Sequence, residues 1–448
     1  MPSRLKSRIA AASLIALLSA GAAAGQDKTN RQAQLEDLEL VRTQYLPKEM
    51  AFTPATRALA EQRVRALEAR AGTLSPVDML VDMSEISALA DNGHSAAHYH
   101  SPGALPPTRL PLRLLWFPDA LIIARAEGAA ADLAGARVLR IEGRTPDQVY
   151  SVAKALRGGE AAFRKSEITE LMESGGVMKA LGLAKRADRL SFTLRLPTGR
   201  VIHRTIAMTA QARQAPTADF ARLWAPEPVP QERNWRAALP LEGMPLYLQD
   251  ADQPFRTIDL PALNARYIQF RSNEDEDGYP IKPFLDRVRA ALKAAPRDTL
   301  IVDLRFDIGG NILTTLSFMR GLPAEAGGRV YLLVGPYTFS AGIISAAALK
   351  KAGGDKVTVA GDEMGDRDHF WSEGGMVTLP NSQLGMRYTD GQWDLDHGCT
   401  GKPGCMDRIV DVGVVDLTPR IAAPLTAEAY FARRDPAMDA IVARLTRP

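Results

Sequence analysis

Apolar residues repeat with two different periods along this chain, and the change of period divides it. Between residues 26 and 101 they recur at helical spacing. Residues 55–71, rich in Ala, Arg, Glu and Leu, run to Gly72 as a helix. Ser75-Pro76-Val77-Asp78 then supplies a capping hydroxyl, a proline at the first helical position and an acid in the first turn. Met79, Leu80, Met83, Ile86 and Ala90 form one apolar face behind it. Asn92-Gly93 is a stop signal, so His94 is the first side chain beyond a helix end.

A proline-rich break at 102–111 changes the pattern. Residues 112–117, 121–126 and 136–141 read as strands, 146–156 as a helix, and 191–196 with 201–208 as a hairpin around Pro197-Thr198-Gly199. These predict a small β-rich module over 110–210. Pro226, Pro228 and Pro230 mark a linker over 211–245. From 246 to the end the pattern is α/β. Strands at 265–270, 300–304, 330–334 and 357–360 alternate with helices at 283–294 and 341–350, which predicts a mostly parallel sheet.

The first 25 residues stand apart. Arg4, Lys6 and Arg8 precede an apolar run at 9–24 that ends in small residues, the layout of a signal peptide cut near Gly25 or Gln26. That run is shorter than the ~20 residues a membrane span needs, so the expectation is export to the periplasm or medium, with no membrane anchor after cleavage. The leader's three cations account for the chain's net charge of +3. The basic balance therefore says nothing of nucleic acid, and no basic stripe suggests it. With 46% hydrophobic and 24% charged residues over 448 positions, the chain has a globular composition and room for several cores. Cys399 and Cys405, its only cysteines, flank a Gly/Pro loop, and in an oxidising compartment they are expected to pair. A metal site there lacks ligands, and none is expected.

Two stretches can carry chemistry. In residues 330–342 an apolar strand enters a tight turn, Thr338-Phe339-Ser340-Ala341, with Ser340 where a helix begins. A serine there can be a helix cap, or a nucleophile whose developing charge the helix end favours. In residues 301–311 a strand leads through Asp303-Leu304-Arg305 to Gly309-Gly310 before another helix. Paired glycines can turn backbone amides toward an oxyanion, or simply make a turn.

Together, Asp-Leu-Arg-x-x-x-Gly-Gly and the later Thr-x-Ser-Ala resemble the core of the tail-specific and tricorn-type serine peptidases. Asp91-Asn92-Gly93-His94-Ser95 resembles that family's Asp-x-x-His-Ser/Thr element, and residues 133–143 are similar to a PDZ core strand pair. The segment 412–421 is similar to the one closing the family's catalytic domain. The resemblance implies a crotonase-like α/β catalytic domain, an N-terminal helical segment and a PDZ-like module. It implies Ser340 as nucleophile, with Ala341 and Gly309 or Gly310 as oxyanion donors. Tail-specific members use a lysine base in a Gly-Lys-Gly context; here Asp366 stands in its place. Lys350, Lys351 and Lys356 are set aside by their positions on and beyond the helix after Ser340. The tricorn-type branch uses histidine, and His94 fits that slot, with His369 as rival. A third member orienting the histidine comes from Glu363, Asp366, Asp394 or Asp396, with Asp366 first. The glutamate often found soon after the family's serine is missing.

The implied activity is cofactor-free hydrolysis of peptide bonds in peptide or unfolded-protein substrates, near their C-terminal regions. Two other readings use the same fold: a peptide-binding protein without catalysis, and a crotonase-like acyl-CoA enzyme or acyl hydrolase, which export disfavours.

Overall fold

The computed structural model describes residues 29–99, 108–210, 220–227 and 234–446. The leader expected at 1–25 lies outside them. Among the described residues no helix is long and apolar enough to cross a membrane.

The fold is mixed α/β. Its central sheet has six strands in the order Phe255–Leu260, Ala265–Phe270, Thr299–Asp303, Arg329–Val334, Val357–Gly361 and Ile421–Ala422. The first pair is antiparallel and the rest are parallel. Both faces are covered, which is why these strands read as continuous apolar runs. Leu300, Val302, Leu332 and Val334 face the helices Ile281–Ala294, Ile312–Glu325 and Ala341–Gly353. Ile301, Tyr331 and Leu333 face the other way, onto Met438 and Ile441 of the C-terminal helix Pro436–Leu445. The strand Phe255–Leu260, exposed at alternate positions on the sheet edge, carries too weak a pattern to read from sequence.

The Asp-Leu-Arg motif explains how the C-terminal helix is held. Arg305 donates to Asp303 at 2.6 Å and to Asp435 at 2.8 Å, and Asp435 is the N-cap of that helix. Asp303 also accepts from the Tyr267 hydroxyl, and the Arg305 guanidinium holds its carboxyl below the usual carboxylate range against the cost of burial.

The strands Leu112–Phe117, Ala120–Ala126, Arg137–Ile141, Arg189–Arg195 and Val201–Ala207 form a consecutive antiparallel sheet around its own core. Between its third and fourth strands lie the expected helix, Pro146–Ala153, and two unforeseen ones, Ala161–Met172 and Gly175–Ala180. The 211–245 segment contains a helix, Phe220–Trp224, and Trp224 packs edge-on against Phe117, Phe306 and Tyr430. Within this segment the helix around Trp224 is part of the packing.

In the N-terminal region the helices Asn30–Leu40, Pro54–Arg70 and Pro76–Ala88 form as the caps and periodicity dictate; Ser75 and Asp78 make a reciprocal capping box. The last of them ends at Ala88, earlier than the Asn92-Gly93 signal, and Asp91 takes the left-handed turn at φ 47°. After His94 the chain enters a short strand, Ala96–Tyr99, that pairs with Leu384–Tyr388 of the hairpin Gly375–Thr378/Leu384–Tyr388. Val377, Leu379, Leu384 and Met386 of that hairpin share one core with the N-terminal helices. Cys399 and Cys405 are disulfide-bonded with Cα atoms 5.4 Å apart, as expected.

Candidate active site

The turn from strand Arg329–Val334 to helix Ala341–Gly353 is pinned by Thr338. Its Oγ1 donates to Leu304 O at 2.7 Å and accepts the Gly335 N–H at 3.0 Å. Phe339 N–H donates to Asp307 O at 2.9 Å, joining this turn to the glycine turn. With both sides fixed, Ser340 is forced to φ 52°, ψ −125°, a backbone region that a non-glycine residue enters only at a cost of order 1–3 kcal/mol. Its side chain makes no capping hydrogen bond, so the helix-cap reading fails.

Gly309 packs on that serine. A Cβ at 309 would stand 2.6 Å from Ser340 Cβ, 3.1 Å from its Oγ and 3.0 Å from Ala341 N. Only glycine leaves that volume open, and the position also needs its φ of 110°. The two glycines differ in their amides. Gly309 N–H donates to Asp307 Oδ1 at 3.1 Å. Gly310 N–H and Ala341 N–H hydrogen-bond to no other described residue. A cleft of about 410 Å3 opens beside this turn, bordered by Pro254, Glu274, Tyr279, Ile308, Gly309 and Gly310.

His94 packs on the ring of Phe339, the residue before Ser340. Its loop is anchored by Asn92, which accepts Trp371 N–H at 3.1 Å and donates to Ser95 Oγ at 3.0 Å. Ser95 in turn donates to the buried Glu49 carboxylate at 2.7 Å. The imidazole is stacked on Phe339, centroids 4.2 Å apart, and Phe339 on Phe163 at 4.1 Å; Phe370 lies nearly parallel to the imidazole with centroids 5.8 Å apart. A methyl on Gly93 would run into the Phe339 ring at 2.8 Å.

His94 Nδ1 is 3.5 Å from Asp366 Oδ2, and both side chains are almost fully buried. That is an ion-pair distance without hydrogen-bond alignment: neither imidazole nitrogen has a hydrogen-bond partner among the described residues. Burial pushes the imidazole below its ordinary pKa, and Asp366 opposes the shift. Asp366 is itself placed by the next residue. Arg367 reaches Asp91 at 3.0 Å and Glu160 at 3.0 Å, tying the 366 loop to the histidine loop and to the β-rich module.

The structure thus brings Ser340, Ala341, Gly309 and Gly310 together at one point, and packs His94, with Asp366, against the ring of Phe339, the residue before Ser340. Ser340 Oγ makes no hydrogen bond to His94 or to any other described residue. The rivals lie elsewhere. His369 is exposed and 3.3 Å from Gln392 Oε1. Asp394 is engaged by Lys402 and His397, and Glu363 and Asp396 are exposed. Lys350 and Lys356 donate to backbone carbonyls at the far end of the helix. Sequence reasoning missed Asp307 and Phe163, for which no motif gave a signal.

No protein-family model matches the chain, and no curated protein matches it by sequence. Three solved structures are similar in fold. Mature CPAF aligns at TM-score 0.56 and 10% identity over 93% of this chain and 98% of its own. Mature CPAF complexed with lactacystin aligns at 0.54 and 11%, over 93% and 97%. A serine-to-alanine mutant of CPAF aligns at 0.53 and 12%, over 91% and 95%. Nearly the whole length of both chains is matched, so this chain has the mixed α/β fold of mature CPAF.

Proposed function

We propose that this chain is an exported serine peptidase of the tail-specific and tricorn type, acting on peptides or unfolded proteins. The observation that carries the reading is Ser340 itself: a hydroxyl on a strained turn at a helix mouth, uncapped, beside two backbone amides without partners among the described residues. Backbone strain of this kind collects at functional sites.

In the proposed reaction Ser340 Oγ attacks the scissile carbonyl. His94 takes the hydroxyl proton and later gives it to the leaving amine, and water then hydrolyses the acyl-serine. Asp366 holds the imidazole and offsets the charge it gains. Ala341 N–H and Gly310 N–H receive the oxyanion; Gly309 supplies the open space. No metal or cofactor is required. The cleft beside Gly309 would take the chain of the substrate, and the 110–210 module, read as PDZ-like, would capture a terminal strand. The catalytic domain would span 246–448 and have a crotonase-like arrangement. The disulfide supports an oxidising compartment.

A second reading, peptide capture without catalysis, draws on the missing Ser340–His94 hydrogen bond. Catalytic hydrogen bonds often tighten only with substrate in place, so the peptidase reading stands ahead. Covalent labelling with a fluorophosphonate probe decides between them. Wild type should label and Ser340→Ala should not, with both equally folded by circular dichroism. Labelling that survives the substitution removes Ser340 as nucleophile; no labelling of wild type favours the binder.

A further inference from the structure

Asp307 is fully buried and sits at the centre of the site without belonging to any motif role. Its Oδ1 accepts both Gly309 N–H at 3.1 Å and Asn273 Nδ2 at 2.6 Å. Its backbone carbonyl accepts Phe339 N–H, and a methyl on Gly342 would meet that carbonyl oxygen at 2.2 Å and the carboxyl carbon at 3.1 Å. The carboxyl therefore lies against the first turn of the helix that starts at Ser340. Asn273 completes a clamp. Its N–H donates to Gly309 O at 2.8 Å, and its Oδ1 accepts from Thr315 at 2.7 Å and from Ser345 at 2.8 Å. Gly309 is thus gripped at both its amide and its carbonyl, by groups that also grip the helix of the nucleophile.

The second carboxylate oxygen, Oδ2, is buried with no hydrogen-bond partner among the described residues. None of the described cations offsets it. On the strand end, Arg305 is spent on Asp303 and Asp435. On the loop after strand Ala265–Phe270, Glu274 lies against Gly310, and it is another acid. Across the nucleophile turn the titratable groups are Tyr337, bonded to Ser166 and Trp224, and the His94–Asp366 pair behind Phe339. None of these hydrogen-bonds or ion-pairs with Asp307.

We propose that Asp307 is a positioning residue of the acyl-transfer site: its carboxyl sets the Gly309–Gly310 turn, and only its neutral form lets the Gly310 and Ala341 amides stabilise an oxyanion fully. The inference rests on the serine-peptidase reading. The physical reason is charge. A carboxylate next to the donors, in a buried site, repels the negative oxygen that forms when Ser340 attacks. With a proton on Oδ2 the same oxygen, Oδ1, still holds Gly309 and Asn273, so the turn keeps its shape and the repulsion disappears. Burial pushes this carboxyl up to about 7, which puts the change within the working pH range.

The test is the rate of Ser340-dependent fluorophosphonate labelling from pH 5 to 9 in the full chain, for wild type, Asp307→Asn and Asp307→Ala. Wild type should slow as pH rises through 7. Asp307→Asn keeps an oxygen for Gly309 without the charge, so it should lose that alkaline limb and exceed wild type by about tenfold at pH 8.5. Asp307→Ala should be slower than Asp307→Asn at every pH, because the turn has lost its anchor. Ser340-dependent labelling with parallel wild-type and Asp307→Asn profiles overturns the role of Asp307 and leaves the peptidase reading intact. Absence of Ser340-dependent labelling in all three proteins overturns the reading and the inference with it.

Discussion

At the scale of single residues, the site holds two buried titratable groups displaced in opposite directions. Burial lowers His94, which must be neutral to accept the Ser340 proton. Protonation therefore switches the base off only below the ordinary histidine range, and activity should persist below pH 6.5. Asp307, raised to about 7, limits the alkaline side. The rate of Ser340 labelling should thus peak on the acid side of neutrality. His94→Ala should lower it about 100-fold and remove the acid limb, whereas His369→Ala should leave both unchanged. Equal damage from the two substitutions would count against His94 as base. The residues that make this arrangement were unequally visible in the sequence. Ser340 and Gly309-Gly310 sit in a strand–turn–helix pattern whose conformational demands glycine and position reveal. Asp307 is one acid in a turn; its importance comes from what folds over it, and local sequence carries no trace of that.

At the scale of elements, the central parallel strands were legible because burial on both faces leaves near-continuous apolar runs, as at Thr299–Asp303 and Arg329–Val334. The helix Ala161–Met172 was not: its buried residues Phe163, Ile168, Thr169 and Met172 make no regular apolar stripe. Yet this element, from the β-rich module, reaches the Ser340 turn. Phe163 lies face to face with Phe339, and Ser166 Oγ is 3.0 Å from the Tyr337 hydroxyl. The ring column Phe163–Phe339–His94 fixes the plane of an imidazole that has no hydrogen bond to fix it among the described residues. Phe163→Ala should cost about 3 kcal/mol in denaturant unfolding and slow Ser340 labelling about tenfold by loosening His94. Phe163→Leu should recover most of the stability while leaving the labelling rate low, because it fills the space without a flat face. Full recovery of labelling by leucine would show that only packing matters.

At the scale of the whole molecule, the site is closed by contacts between segments far apart in sequence, and these were the least legible feature. The hairpin Gly375–Thr378/Leu384–Tyr388 is built from short, weakly alternating strands, and its partner Ala96–Tyr99 precedes it by most of the chain. Nothing local announces such a pairing. Glu49 is where it is fastened. Its carboxylate is wholly buried and accepts Ser95 Oγ at 2.7 Å, Thr389 Oγ1 at 2.6 Å, Thr389 N–H at 3.2 Å and Ala51 N–H at 2.9 Å. One side chain therefore joins the N-terminal helices, the His94 loop and the hairpin. Burial raises its pKa while these donors pull it back. Removing it strands two hydroxyls and two amides in the core, and each buried group left unpaired costs about 1–3 kcal/mol. Glu49→Ala should lower the unfolding free energy by an amount on the order of 3–5 kcal/mol, read as a lower denaturant midpoint at unchanged slope. Glu49→Gln, which keeps one acceptor oxygen, should fall between. The consequence for the site is directional. The His94 loop hangs on Ser95, whereas the Ser340 turn hangs on Thr338 and Asp307, so Glu49→Ala should slow labelling of Ser340 well below the unfolding midpoint while leaving the stability of the central sheet to hydrogen exchange largely intact. Uniform loss of protection across the sheet would instead mean that the three segments form one cooperative unit, and that the histidine loop has no separate anchorage.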